Sequence, residues 1–476
     1  MKNSLIDKVL CLLLLSFVLM SCSALKSTDK VESRRLPNRF YNSTDTSNVA
    51  SINWRTYFDD PHLIALIDTA LKNNQELNIF LQELQMRKNE IRARKGEYLP
   101  FVNGVAGAGV DKAGRYTRMG AVESQLSVKP GVPFPDPVQD YLLGAQATWE
   151  VDIWKKLRNA KKAAVMSYLS SVEGRNLMVT QLIAEIADAY YEIMAMDNLL
   201  EITSKSIEIQ SSALSVVRQQ KDAARVTQLA VNRFEAQLLN TQNLQNEIKQ
   251  QLVETENRIR FLTGSFEAPV IRNSVSYLRI EVDSISSGIP SALLSNRPDI
   301  RQAEYELEAS KLNVKIARAN FYPSFGIRAG VGFQSFNTAY LISPEAIMYN
   351  LAGDLVAPLI NRNAIKAAYS TANARQIQAA YTYEQVILNA YLDVLNQLSK
   401  IENYRNSFDM KNKEATILSG SVTIANNLFN SARADYGEVL LTQREALESR
   451  MELIEIKNKQ LSAKVNIYRA LGGGWR

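Results

Sequence analysis

Between Asn296 and Phe336 the chain changes its period. Up to about Asn320, small or apolar residues recur three or four apart, at Ile300, Ala303, Leu307, Ser310, Val314 and Ala317. That spacing predicts one face of a helix. After Tyr322-Pro323 the period drops to two. Phe325, Ile327, Ala329, Val331 and Phe333 alternate with Gly326, Arg328, Gly330, Gly332 and Gln334, which predicts a strand with one apolar and one wet face. The same unit stands 223 places earlier, where Asn73 matches Asn296, Lys88 matches Lys311, Pro100 matches Pro323, and Gly107 and Gly109 match Gly330 and Gly332. A repeat that keeps its helix-to-strand switch predicts a duplicated chain.

The first repeat spans residues 52–264. A helix over 62–97 ends before Leu99-Pro100, because the residue before proline disfavours helix. A strand at about 101–111 follows, then a loop carrying Pro130, Pro133, Pro135 and Pro137, too dense in proline for a central strand. A second strand at about 142–151 turns Leu143, Ala145, Ala147, Trp149 and Val151 one way and Gly144, Gln146, Thr148 and Glu150 the other. Long helices fill 153–264, broken near Asp222 to Arg225 and stopped by Gly264. After a connector at 265–289, the second repeat (290–476) runs through a helix at 291–320 and strands at about 324–336 and 349–357 joined by a short loop. Long helices at 363–471 end it, the last starting near Tyr436. The pair Ala189-Tyr190 recurs as Ala390-Tyr391, and the closing run from Arg260 to Gly264 recurs as Arg469 to Gly473. A helix of some 65 residues would be ~100 Å long at ~1.5 Å per residue, which implies a coiled coil or a helical tube.

The first 21 residues carry Lys2 and Lys8, then an apolar run from Val9 to Met20 that is too short to cross a bilayer, and read as a secretory signal. The run ends in Leu19-Met20-Ser21-Cys22, which resembles a lipoprotein box with Cys22 as the lipidated residue. That N-terminal lipid is the only covalent group expected, and no cofactor is. Residues 22–51 have no period and read as a flexible tether, with order beginning near Ile52. Loss of residues 1–21 removes Lys2, Lys8 and Asp7, taking the net charge from +6 to +5. Without a Lys/Arg block this is no footprint for nucleic acid.

Candidate chemistry is sparse. The single histidine, His62, leaves no imidazole cluster for a metal or for acid–base work. The glycines at Gly104 to Gly109 and Gly330 to Gly332 lie inside strands, not at the strand-to-helix turn a dinucleotide needs. No catalytic site is found, and the chain reads as a non-enzyme.

Two-faced strands of about ten residues suit a membrane barrel, but four strands are too few to close one, since about eight is the practical minimum. An open edge in lipid is forbidden because its backbone groups go unpaired. Several chains must therefore share a barrel, and three would supply about twelve strands.

The run Gly288-Ile289-Pro290-Ser291-Ala292-Leu293-Leu294, then Asn296-Arg297-Pro298-Asp299-Ile300 with Ala303-Glu304, resembles the signature of TolC-like outer-membrane efflux lipoproteins of the NodT and OprM type. Trp54, Phe58, Leu63 to Leu71, Trp149-Glu150-Val151-Asp152 and the ending Ala470-Leu471-Gly472-Gly473-Gly474-Trp475 are similar to that family too. The resemblance implies a mixed α and β membrane protein: a homotrimer with a shared twelve-stranded outer-membrane β-barrel, four strands per chain, continued by a periplasmic α-helical barrel. Such a protein is the exit duct of a tripartite efflux pump. It is anchored by lipid in the outer membrane and partnered by a periplasmic adaptor and an inner-membrane RND-type transporter, and it passes drugs, toxic compounds or ions without changing them. The resemblance also places the gating tips at the turns near Asp222 and Asp435. Asp435, Glu438 and Leu441 are candidates for the constriction, and Asp222, Arg225 and Arg433 for tip contacts or adaptor docking. Competing readings are the outlet of a type I protein secretion system and a structural coiled-coil lipoprotein of the envelope.

Overall fold

The computed structural model describes residues 30–40, 50, 52–267, 269–282, 287–431 and 433–475. The signal segment and Cys22 lie outside them. In chain order the elements are α1 (Trp54–Tyr57), α2 (Pro61–Asn73), α3 (Gln75–Glu97), β1 (Phe101–Asp111), α4 (Arg118–Gln125), β2 (Ser127–Lys129), β3 (Val132–Pro133) and β4 (Val138–Val151). Then come α5 (Lys156–Asp222), α6 (Gln228–Thr263), α7 (Leu293–Asn296), α8 (Pro298–Ala319), β5 (Ser324–Ser335), β6 (Ile347–Val356), α9 (Asn363–Asn430) and α10 (Tyr436–Ala470). The chain forms two compact units that cut across the two repeats. One gathers Gly96–Ala160 and Ser310–Tyr381 with residues 30–32, and the other gathers Ser33–Lys95, Lys161–Ala309 and Thr382–Arg476. Each repeat therefore contributes to both.

The first unit is a four-stranded antiparallel sheet in the order β1-β4-β5-β6, so β4 and β5 join the repeats and β1 and β6 are its edges. At the end of the sheet, the Asp152 carboxylate accepts the amides of Leu157 (3.0 Å) and Arg158 (2.9 Å) at the start of α5. Trp154 stacks on Tyr322 at 4.6 Å and donates to the Pro323 carbonyl at 2.7 Å. The loop between β1 and β4 is not structureless: α4 and the β2–β3 hairpin occupy it. Its prolines fall in and around that hairpin, clear of the sheet.

The second unit is helical. Leu63, Ile67 and Ala70 form the stripe of α2 and are fully buried, with Asp60 capping the helix. They pack with Trp54, Phe58, Ile183, Ile186, Tyr190, Leu461 and Tyr468 in one core. Tyr57 stacks on Tyr468 at 4.2 Å, and the Tyr190 hydroxyl donates to Asp60 at 2.7 Å.

Two helices expected to be continuous are divided. Asn74 interrupts 62–97: its Oδ1 accepts the Leu77 amide (2.9 Å) and its Nδ2 donates to the Leu262 carbonyl (3.0 Å). This side chain offers the backbone a competing partner. Arg297 interrupts 291–320 in extended geometry, as its following Pro298 requires. Its guanidinium forks onto Asp299 (2.7 and 3.0 Å), reaches Asp393 (3.4 Å) and donates to the Ala470 carbonyl (2.8 Å). It thus ties the family-like motif to the end of α10.

The tether is also corrected in part. Glu32 pairs with Lys311 at 3.1 Å in the sheet unit. In the helical unit Arg34 pairs with Glu304 at 2.8 Å, and Phe40 is buried against Tyr391, ring centroids 5.7 Å apart. These contacts complement helix faces one residue at a time, so no period announces them.

The register of the long helices revises two repeat matches. α9 ends 208 places after α5 (430 against 222), and α10 starts 208 places after α6 (436 against 228). Under that offset Tyr391 corresponds to Ile183, so the recurring Ala-Tyr pair is one heptad out of step. Likewise Gly264 corresponds to Gly472, not Gly473. Both are left-handed, at φ 64° and 89°. A Cβ on Gly264 would stand 2.6 Å from the Asn73 carbonyl oxygen, and one on Gly472 2.6 Å from that of Asn296. Each repeat thus ends its last helix against the same asparagine of its first.

Burial shifts two charged side chains of the helical unit, Lys457 and Asp188. Lys457 donates to the Ile280 carbonyl and to Gln460 (3.2 Å), pinning the connector, and burial pushes it down to about 8. Burial pushes the Asp188 carboxyl up to about 6, against the opposing help of Ser462, Asn466, Arg469 and Arg258. Gly264→Ala and Gly472→Ala should each cost about 1–3 kcal/mol of stability in chemical denaturation, through strain and the carbonyl clash. Because Asp188 binds its proton more tightly when folded, its contribution is present at low pH and lost as pH rises through about 6. Asp188→Asn should therefore gain about 1–3 kcal/mol on the native chain between pH 4 and pH 7.

Candidate functional site

The ladders fix which side chains share a face. Odd positions of β1 lie opposite even positions of β4, and these lie opposite even positions of β5 and β6. On that face stand Asn103, Gln146, Thr148, Gln334 and Asn350, together with every charged residue of the four strands: Asp111, Asp140, Glu150, Arg328 and Asp354. The other face carries no charge. It shows Val102, Ala106, Leu143, Ala145, Ile327, Val331, Leu351 and Leu355, with Trp149 and Phe325 toward one end and Tyr141, Phe333 and Tyr349 toward the other. Aromatic residues at both ends of an apolar band are what a barrel wall presents to lipid. Tyr349 is 82% exposed and Leu351 78%. Among the described residues no helix is long and apolar enough to cross a membrane.

In the helical unit the paired turns are built alike. Arg225 and Arg433 each send an amide back five residues, to the Gln220 and Leu428 carbonyls, both at 2.8 Å. They are one position in two copies. So are the N-caps Thr227 and Asp435, but only Asp435 caps with its side chain, accepting the amides of Gly437 (2.6 Å) and Glu438 (3.0 Å). Ala224 closes the first turn at φ 53°, a conformation glycine usually takes.

Asp222, Arg225, Arg433, Asp435, Glu438 and Leu441 are all exposed, as residues at a duct tip would be. Asp222 lies 3.6 Å from Lys221. Apart from the Asp435 cap on Glu438, no hydrogen bond or ion pair joins these candidates to one another among the described residues. Ala432, beside them, is outside that set.

What holds the two turns together is a cluster the sequence reading did not pick out. Leu214, Val217, Ala230, Val231 and Phe234 of the first hairpin are buried with Ala425 and Val439 of the second. Val217 and Ala425, like Val231 and Val439, stand 208 apart, so the plug is itself a repeat pair. Arg233 lies over the Tyr436 ring at 5.9 Å, and Arg218 pairs with Glu235 at 3.4 Å. Heptad steps in α6 at Val231, Phe234 and Leu238 were the available signal. Above the plug Gln443 is buried with neither amide atom bonded. That is a weak point in the packing of α10.

A sheet charged on one side and apolar on the other suits a membrane wall of strands, and helices of 67 and 68 residues suit a coiled coil or helical tube. The chain belongs to the outer membrane efflux protein family, whose model matches residues 66–265 and 289–473. It is 25% identical to the probable outer membrane lipoprotein SilC of Salmonella typhimurium, over 96% of this chain and 97% of that protein. It is also 25% identical to the solvent efflux pump outer membrane protein SrpC of Pseudomonas putida, over 88% of this chain and 87% of that one. Among solved structures, the open state of the Neisseria gonorrhoeae MtrE outer membrane channel superposes with a TM-score of 0.82 at 21% identity, covering 94% of this chain and 97% of MtrE. The expected TolC-like fold, mixed α and β, is what the chain has.

The cap and the plug make different demands on the second turn. Asp435→Ala should weaken the first turn of α10 by about 0.5–2 kcal/mol, read as faster amide exchange at Gly437 and Glu438. Glu438→Gln, which removes no cap, should leave that exchange nearly unchanged.

Proposed function

We propose that this chain is the exit duct of a tripartite efflux pump in the outer membrane, and that three copies build it. The observation that carries this reading is the partition of the sheet: every strand charge on one face, none on the other, and two unpaired edges. In lipid those edges must pair with other copies. Two copies would give an eight-stranded barrel, whose interior side chains fill. Three give twelve strands and the smallest open lumen. Solutes pass unchanged, for the duct needs only a wetted wall.

The family and relatives named for efflux support a passive role. Energy then has to come from an inner-membrane transporter of the RND type, joined by a periplasmic adaptor that meets the exposed tip residues. Lipid on Cys22 would hold each chain's N-terminus at the membrane. The plug and the cap on Asp435 support a resting state closed at the tips, opened when the second hairpin moves outward.

Single-channel recording in planar bilayers tests the duct. The native trimer should show small, rare openings, enlarged by Asp435→Ala/Glu438→Ala. A folded monomer without conductance would overturn the reading, and a trimer silent in both forms would remove the tip from the mechanism.

A further inference from the structure

The whole chain is basic, at +6 with a pI near 9.0. The polar face of its sheet is not. There four carboxylates (Asp111, Asp140, Glu150 and Asp354) stand against one guanidinium, Arg328, a net of −3 per chain. The imbalance cannot come from overall composition, which has the opposite sign.

The charges are also arranged. Arg328 lies opposite Ala352, and Asp354 lies opposite Gly326, so the two are diagonal neighbours across β5 and β6. Diagonal spacing suits a long side chain, and their ion pair measures 3.0 Å. Glu150, one strand over, pairs with Lys156 at 3.0 Å. Glu97, Thr148, Glu150, Arg328 and Asp354 line one groove of about 470 Å³ at the end of the sheet where β4 finishes and β5 begins. Arg328 remains 72% exposed at its side chain and Asp354 42%, so both present their charge to water despite pairing.

We propose that this face is a charge filter of the barrel, separate from the tips, that favours cationic solutes over anionic ones, with the Arg328–Asp354 pair setting its strength. The inference rests on the duct reading, since only a closed barrel turns the polar face into a lumen. Three copies would repeat the pair around the axis, giving a wall of net −9 from three times −3. A solute passing within a Debye length, about 8 Å at physiological salt, feels such a ring, and selectivity by rings of charged side chains is a general device of pores.

The test is the reversal potential of single trimers under a potassium chloride gradient, for the native chain, Arg328→Gln, Asp354→Asn and the double variant, all with native tips. The native duct should pass potassium in preference to chloride. Arg328→Gln, at −4 per chain, should raise the potassium-to-chloride permeability ratio roughly two- to threefold, and Asp354→Asn, at −2, should lower it by a similar factor. The double variant, at −3 again, should return to the native ratio, as a structural disturbance would not. Equal ratios in all four conducting channels, or a native preference for chloride, would overturn the filter while leaving the duct standing. A folded monomer with no conductance in any form would overturn the duct itself, and the filter with it.

Discussion

Hydrocarbon offers no hydrogen-bond partner, and the architecture of this chain answers to that fact. A four-stranded sheet ordered β1-β4-β5-β6 leaves one side of β1 and one side of β6 unpaired. Each such backbone group costs several kcal/mol in lipid, far more than any side-chain contact along the edge could return. The apolar face makes water equally unfavourable, with Leu351, Leu355 and Tyr349 largely exposed on it. A sheet that fits neither solvent alone has a stable place only as one sector of a closed wall.

The duplication follows the same logic. The first halves of the repeats stand 223 apart and the second halves 208 apart, a difference of 15. Residues 112–137 between β1 and β4 number 26, and residues 336–346 between β5 and β6 number 11, which is also a difference of 15. The net change of offset thus equals the difference between the loops at one end of the sheet. The long helices hold their lengths, 67 against 68 residues and 36 against 35, as helices that must reach the same level would. Exposed loop tips carry no such constraint.

Much of this was legible in the sequence, and the failures share a cause. Strands announced themselves through the period of two, and the long helices through the absence of proline between Ile153 and Arg218. Periodicity reports faces, however, and says nothing about single-residue exceptions. Asn74 breaks a helix through its own amide, and Phe40 is buried by one ring on Tyr391. A heptad repeat likewise matches itself after seven places, so Ala189-Tyr190 and Ala390-Tyr391 pair convincingly in sequence and wrongly in space. At the tips the exposed charges drew notice, but the apolar plug of Val217, Val231, Phe234 and Val439 is what joins the hairpins. Small apolar residues in a heptad look alike whether they face a neighbour or a partner hairpin, and only the 208-place register separates the cases.

That distinction between totals and faces applies to charge as well. A net charge of +6 would suggest a surface attractive to anions. The strand ladders sort residues by parity, and parity places four carboxylates and one guanidinium on the wet side of the sheet and no charged residue on the dry side. The basic residues that set the total lie elsewhere, on helix exteriors and turns such as those of Arg225 and Arg433. Screening confines each group's influence to about 8 Å. What a solute meets inside a wall of strands is therefore the sign of that wall, whatever the sign of the chain.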